Sequence, residues 1–268
     1  MKIQKEDVIR VFDDLASKSS WERLYSGHID RIRYNFVTRL RAVEELIDLN
    51  VKGDILDVGC GTGDLAPFVT RKGAIYHGVD LSAEMIKRAN TIYSVLVKNG
   101  KATFQIGDCE NLHFCDKKFN TVIAIGLIEY LPDPSRFLSE MERVTKSGGY
   151  FLITVPYKEC INSKIRKLLF PIKSILFPIY AKLKNPHLVP AIDVKHYSYN
   201  EIELDELMEN RNFRRVDFRF TNFHIIPHPL DHLLPKLYMK ISERIDRKGL
   251  GVHYKKWASN YIALFQKN

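Results

Sequence analysis

The chain has only four cysteines, Cys60, Cys109, Cys115 and Cys160, and no C-x-x-C pair among them. So few cannot form a disulfide scaffold for 268 residues, and their spacing suits no structural zinc site; a reducing compartment is expected. No uninterrupted apolar run approaches the roughly 18 residues that a membrane-spanning helix needs. The opening MKIQKEDVIR has no apolar secretory segment, so a cytoplasmic location is expected. Glycine (14) and proline (11) are too sparse for a low-complexity or collagen-like chain, and the absence of a visible repeat argues against a solenoid. What remains is a folded chain long enough for one large domain, or for a core with a cap.

Acidic residues are also in short supply, 32 against 41 Lys and Arg, and the imbalance is local. Residues 157–195 carry eight Lys/Arg against Glu159 and Asp193, and residues 222–257 carry seven against Asp231, Glu243 and Asp246. The same two stretches hold seven of the eleven prolines and five of the nine histidines, which marks them as insertions into an otherwise ordinary core.

That core alternates short apolar runs with helix-length amphipathic ones, the pattern of a doubly wound α/β sheet with seven strands. Strands are predicted at 54–58, 75–80, 103–106, 121–125, 150–155, 213–220 and 261–265, with helices at 64–71, 83–98, 135–145 and 199–209. Ser82 is the predicted N-cap of the second helix, and Ser198 is expected to open the last. The first 50 residues read as two helices with Trp21 and Tyr25 in the stretch between and around them; Val37, Leu40, Val43 and Ile47 recur at helical spacing and point to a packed face. The expected division is a helical lid over 1–50, a core of 51–156, 196–221 and 258–268, and a cap formed by 157–195 and 222–257.

The segment Ile55 to Gly63, ILDVGCGTG, is an apolar strand running straight into a G-x-G-x-G turn. Glycines suit such a turn because the backbone must bend sharply and let a ligand lie against it. A dinucleotide fingerprint needs G-x-G-x-x-G, and counting from Gly59 its last position is Asp64, which favours a different nucleoside over NAD. Asp80 closes the second strand, where a carboxylate accepts both hydroxyls of a ribose, and Asp108 lies just past the third, within reach of an adenine edge.

These residues, with VDLS from Val79, IGDCENL from Ile106 and FNTVIAIGLIEYLPDP from Phe119, resemble the ordered motifs of class I S-adenosylmethionine-dependent methyltransferases over about residues 50–220. The resemblance implies a Rossmann-like fold, S-adenosyl-L-methionine as cofactor, Gly59, Gly61 and Gly63 lining its methionine moiety, and Asp57, Cys60 and Gly126 as further cofactor-binding residues. It further implies Asp80 on the ribose, Leu81 and Met85 flanking the adenine, and Asp108 with Cys109 at its edge. The stretch from Phe12 to Arg41 is similar to the amino-terminal lid of magnesium-protoporphyrin methyltransferases, which implies a cofactor contact for Tyr25. The histidine that those enzymes carry after the fourth strand is replaced here by Glu129 or Tyr130.

Methyl transfer from a sulfonium is an in-line displacement, which needs alignment, exclusion of water and, for a protonated acceptor, a base. His196 is the preferred base, with Glu129 and Tyr130 as further candidates; Tyr157 and Tyr197 are expected to face the acceptor. Both insertions should emerge at the carboxyl edge of the sheet and fold together over the methyl group. Their basic amphipathic segments suit a small lipophilic acceptor and an anionic membrane surface at the inner face of a membrane. Base-modifying methyltransferases carry an acid-or-Asn-Pro-Pro-aromatic run after the fourth strand; Gly126 to Tyr130 read GLIEY instead, so nucleic acid is not the expected partner. His224, His228 and His232 are spaced by four, but Pro227 and Pro229 forbid a shared helix, and no metal is expected. A non-catalytic binding module and an RNA methyltransferase stand as alternatives.

Overall fold

The computed structural model describes residues 2–17, 31–48, 52–165, 196–226, 234–247 and 251–268. Seven strands form a single sheet in the order β3-β2-β1-β4-β5-β7-β6. They are β1 (Asp54–Val58), β2 (Ile75–Asp80), β3 (Ala102–Ile106), β4 (Phe119–Ala124), β5 (Thr145–Pro156), β6 (Phe213–Phe223) and β7 (Ala258–Lys267). Strands β1 to β5 run parallel, and β7 enters antiparallel between β5 and β6.

Side-chain alternation along β1 sorts the core into two faces. Leu56 and Val58 join Phe137, Met141 and Phe213 on one side of the sheet. Ile55 joins Tyr76, Val43 and Ile47 on the other. Asp57 belongs to the second face by the same period, which is why its carboxylate meets the Tyr76 hydroxyl.

The helices are α1 (Lys2–Ser17), α2 (Arg31–Ile47), α3 (Ala66–Arg71), α4 (Ala83–Ile92), α5 (Ser94–Lys98), α6 (Ser135–Val144), α7 (Glu201–Glu209) and α8 (Pro235–Arg247). Ser82 caps α4, its hydroxyl accepting from the Met85 amide at 3.1 Å. The single helix expected over 83–98 breaks at Tyr93. The last core helix starts later than Ser198 suggests: Asn200 and Glu203 form a reciprocal capping box, while Tyr199 is held in a bridge to Tyr157.

The two amino-terminal helices play different parts. Helix α2 packs against β6, β7 and α8, with Val43 and Ile47 fully buried. Helix α1 lies on α4, where Leu15 and Ala16 cover Met85. Helix α8, within the second insertion, packs on α2 and β6. Most of the first insertion, residues 166–195, lies outside the described residues, as do Trp21, Tyr25, His228 and His232.

Candidate functional site

Where the parallel strands end, a cavity of about 200 Å³ opens between the sheet edge and the first two helices. Its floor is the glycine turn. The amides of Gly59 and Cys60 both donate to the Val79 carbonyl, at 2.7 and 3.1 Å, and the Gly61 amide donates to Asp80 Oδ2 at 2.8 Å. Gly59 and Gly61 adopt φ of +72° and +53°, a region that a β-carbon disfavours, and both line the cavity. Gly63, at φ +81°, is not among the lining residues, and a β-carbon there would stand 2.4 Å from the Phe104 ring. It serves close approach of the turn to β3.

Asp57, 3 % exposed, accepts from Tyr76 through Oδ2 at 2.7 Å, while Oδ1 is buried with no hydrogen-bond partner among the described residues. Burial pushes its carboxyl up to about 7; the Tyr76 hydroxyl works against that shift, and Asp64 and Asp80 add to it. Burial also raises Asp80, opposed by the amides of Ser82 and Gly61. Leu81, Cys60 and Cys109 complete this part of the wall, and burial drives both thiols upward. Met85 does not reach the wall: it is fully buried beneath α1, because the cap that starts α4 turns its side chain toward Leu15 and Ala16.

Asp108 lies at the cavity as expected but is already engaged. Lys5 of α1 donates to its Oδ2 at 2.8 Å and also pairs with Glu110. Burial alone would raise Asp108, but hydrogen bonds from Lys5 and from the Glu110 amide outweigh it and hold the carboxyl low. Asp13 fastens the same helix to Ser82, whose hydroxyl lies 2.5 Å from Oδ1.

The opposite wall is apolar around one acid. Glu129 sits in a short 3-10 turn after β4 and is 9 % exposed; burial lifts its carboxyl to about 7, with Arg39 drawing it down. Tyr130 beside it is also raised by burial, and its ring meets Phe12 of α1 edge-on at 5.6 Å. Gly126 donates to Thr154 Oγ1 at 2.8 Å, and its φ of +63° leaves room for the Arg39 guanidinium, 3.2 Å from where a β-carbon would stand.

The other acceptor-side candidates lie elsewhere. Tyr157 is 3 % exposed inside the core, its ring against Phe220 and Tyr261 and its hydroxyl donating to Glu201 at 2.9 Å. The strand pairing that continues past Pro156 turns that side chain away from the crevice. His196 is exposed outside the cavity wall, its ring 4.9 Å from Tyr130, and burial of one side lowers its pKa. Tyr197 touches the site through its backbone, donating from its amide to the Glu129 carbonyl at 2.8 Å. Among the described residues no group of three or more His, Cys, Asp or Glu could hold a metal ion.

Sequence reasoning missed the wall residues supplied by the helices: Lys5, Val8 and Phe12 from α1, and Phe36, Arg39 and Leu40 from α2. Asp64, the residue that spoils the dinucleotide fingerprint, also lines the cavity. Arg39 lies over the Phe36 ring at 5.1 Å and forms no ion pair with any described residue. A signal for it existed in the spacing of Phe36, Arg39 and Leu40, which share one face of a helix.

A buried carboxylate oxygen and a guanidinium that find no partner among the described residues, over a glycine floor, fit a ligand that bears an ammonium and a carboxylate on a nucleoside. Comparison with known proteins agrees. Residues 56–153 match the family model described as a methyltransferase domain. The chain is 27% identical over 229 residues, 85% of its length and 90% of the relative's, to a ubiquinone biosynthesis O-methyltransferase of Coxiella burnetii. It is 27% identical over 168 residues, 56% of its length and 46% of the relative's, to a probable chloroplastic tocopherol O-methyltransferase of rice, Oryza sativa. Among solved structures, the magnesium protoporphyrin IX methyltransferase of Synechocystis with bound S-adenosylhomocysteine shares the fold. The TM-score is 0.66 at 16% identity, covering 98% of this chain and 100% of that one. Strand order, glycine turn and strand-end acids converge with these matches: residues 56–153 form a methyltransferase domain, on the fold of class I S-adenosylmethionine-dependent methyltransferases.

Proposed function

We propose that this enzyme transfers a methyl group to an oxygen of a small lipophilic acceptor, with Glu129 as the base. One observation carries the reading: a buried carboxyl stands in an apolar wall of the same cavity whose floor bears the glycine turn and the unpartnered Asp57 oxygen. When bound, S-adenosylmethionine supplies an electrophilic methyl on a sulfonium. Asp57 Oδ1 would accept from the ammonium of its methionine end, and Arg39 would take the carboxylate in a charge-assisted contact. Asp80 would accept from the ribose, and Asp108 and Cys109 would stand at the adenine edge beside the Lys5 ion pair.

Glu129 would receive the acceptor's hydroxyl proton, leaving the acceptor oxygen free to take the methyl that the bound cofactor would supply. A carboxyl with a pKa near 7 is well placed for this at neutral pH. Val8, Phe12 and Leu131 exclude water. His196, preferred on sequence grounds, is not assigned the role, because its ring lies outside the wall.

Relatives named as O-methyltransferases of ubiquinone biosynthesis and of tocopherol support a lipophilic, hydroxylated acceptor. Such an acceptor is drawn from a membrane surface in this reading. The outer face of α8 suits that contact, with Leu234 and Leu237 exposed beside Lys236, Lys240 and Arg244. No helix of the described residues is long and apolar enough to cross a membrane.

The test is radiolabelled methyl transfer from S-adenosylmethionine to a panel of prenylated phenols and quinols, run with the wild type, Glu129→Gln and His196→Ala. Label on the acceptor oxygen, lost by about two to four orders of magnitude in Glu129→Gln and kept in His196→Ala, is the expected result. Label on nitrogen, or turnover that depends on His196 and not on Glu129, overturns it.

A further inference from the structure

Helix α2 engages its surroundings through two faces. Phe36, Arg39 and Leu40 face the cavity. Asn35 and Thr38, three residues apart on another side, are gripped from β6 by one residue, Asn222. Its Oδ1 lies 2.5 Å from the Thr38 hydroxyl, and its Nδ2 donates to the Asn35 carbonyl at 3.1 Å. The Thr38 hydroxyl is shared with the Tyr34 carbonyl, at 2.7 Å. The side chain of Asn35 in turn accepts from Tyr238 of α8 at 3.1 Å. Asn222 is 1 % exposed and Thr38 4 %, so no water substitutes for these bonds.

Asn222 also holds φ at +60°, a left-handed conformation that costs most side chains and suits asparagine and glycine. The backbone twist aims the amide at α2, and the amide offers both the donor and the acceptor that the two helix positions need. Successive helix residues are about 100° apart, so a modest rotation of α2 about its axis carries Arg39 out of the cavity while leaving its apolar stripe largely covered.

We propose that Asn222 is a positioning residue that sets the rotation of α2 and thereby holds the Arg39 guanidinium at the cofactor's carboxylate. The inference rests on the reading of Arg39 given above. Asn222 touches neither cofactor nor acceptor; it acts through Thr38 and Asn35.

Titration calorimetry with S-adenosylhomocysteine, which keeps the carboxylate, tests the proposal on the full chain. Asn222→Gly preserves the positive φ and removes both bonds; its dissociation constant is expected to rise about tenfold, about 1.4 kcal/mol. Thr38→Val removes the hydroxyl at nearly constant shape and shifts affinity the same way. In an Arg39→Ala background, itself weakened, neither change is expected to matter further, because the group being positioned is gone. Wild-type affinity in both single variants, or losses that simply add to that of Arg39→Ala, overturns the proposal. Wild-type affinity in Arg39→Ala instead overturns the reading of Arg39. Should Asn222→Gly lack a cooperative melt, Thr38→Val decides alone.

Discussion

Replacing Glu129 by glutamine should make the protein more stable and far less active, and the stability gain should depend on pH. The carboxyl is 9 % exposed and burial lifts it from 4.5 to about 7. The folded chain therefore keeps a proton that the unfolded chain releases, so stability is highest below the unfolded value and falls as pH climbs from about 4.5 toward 7. At 1.36 kcal/mol per pKa unit, the full displacement amounts to about 3 kcal/mol, all of it lost by pH 8. Glutamine cannot ionise and does not incur that loss. Relative to the wild type, Glu129→Gln should gain about 3 kcal/mol in urea unfolding at pH 8 but only about 1 kcal/mol at pH 5, measured without cofactor. Turnover should fall by about two to four orders of magnitude. The wild-type kcat/KM should rise with pH until the base is ionised and then level off, a limb that the variant lacks. A stability difference that is the same at both pH values refutes the buried-carboxyl argument, whatever the activity does.

Three further outcomes are expected. Asp57→Asn should weaken cofactor binding about tenfold in calorimetry, since the oxygen aimed at the ammonium loses its charge; unchanged affinity removes Asp57 from the site. Gly63→Ala should destabilise by about 2–4 kcal/mol in thermal or urea melts, because φ +81° and the Phe104 ring at 2.4 Å both oppose a β-carbon; a loss under 1 kcal/mol contradicts the role in close packing. Flotation with anionic vesicles should carry the wild type and lose most of it when Leu237, Lys240 and Arg244 are all changed to Glu, and equal flotation removes α8 from the membrane contact.

Much of the fold was legible because its signals are local. Period-two apolar runs locate the strands, and the acids at Asp57, Asp80 and Asp108 follow from strand ends. Elements misplaced by a few residues were those where a side chain competes for the backbone: the capping box of Asn200 and Glu203 starts α7 after the residue suggested by Ser198. The site was legible only in part. Tyr157 and Met85 carry the right chemistry at plausible positions, yet one packs under β6 and β7 and the other under α1. A sequence period identifies a covered side chain without identifying what covers it.

By itself the sequence settled the parts of the enzyme that a few neighbouring residues decide: the glycine turn, the carboxylates that follow successive strands, and the α/β alternation that brings those strand ends to one edge. Tertiary structure alone decided what closes over that edge. Lys5 reaches Asp108 across 103 positions of chain and Asn222 reaches Thr38 across 184, and it was folding that exchanged His196 for Glu129 as the group enclosed in the cavity. The physical reason is that backbone turns and strand periods are fixed by short-range sterics, whereas desolvation, which sets the charge and proton affinity of a side chain, depends on whatever distant segment covers it.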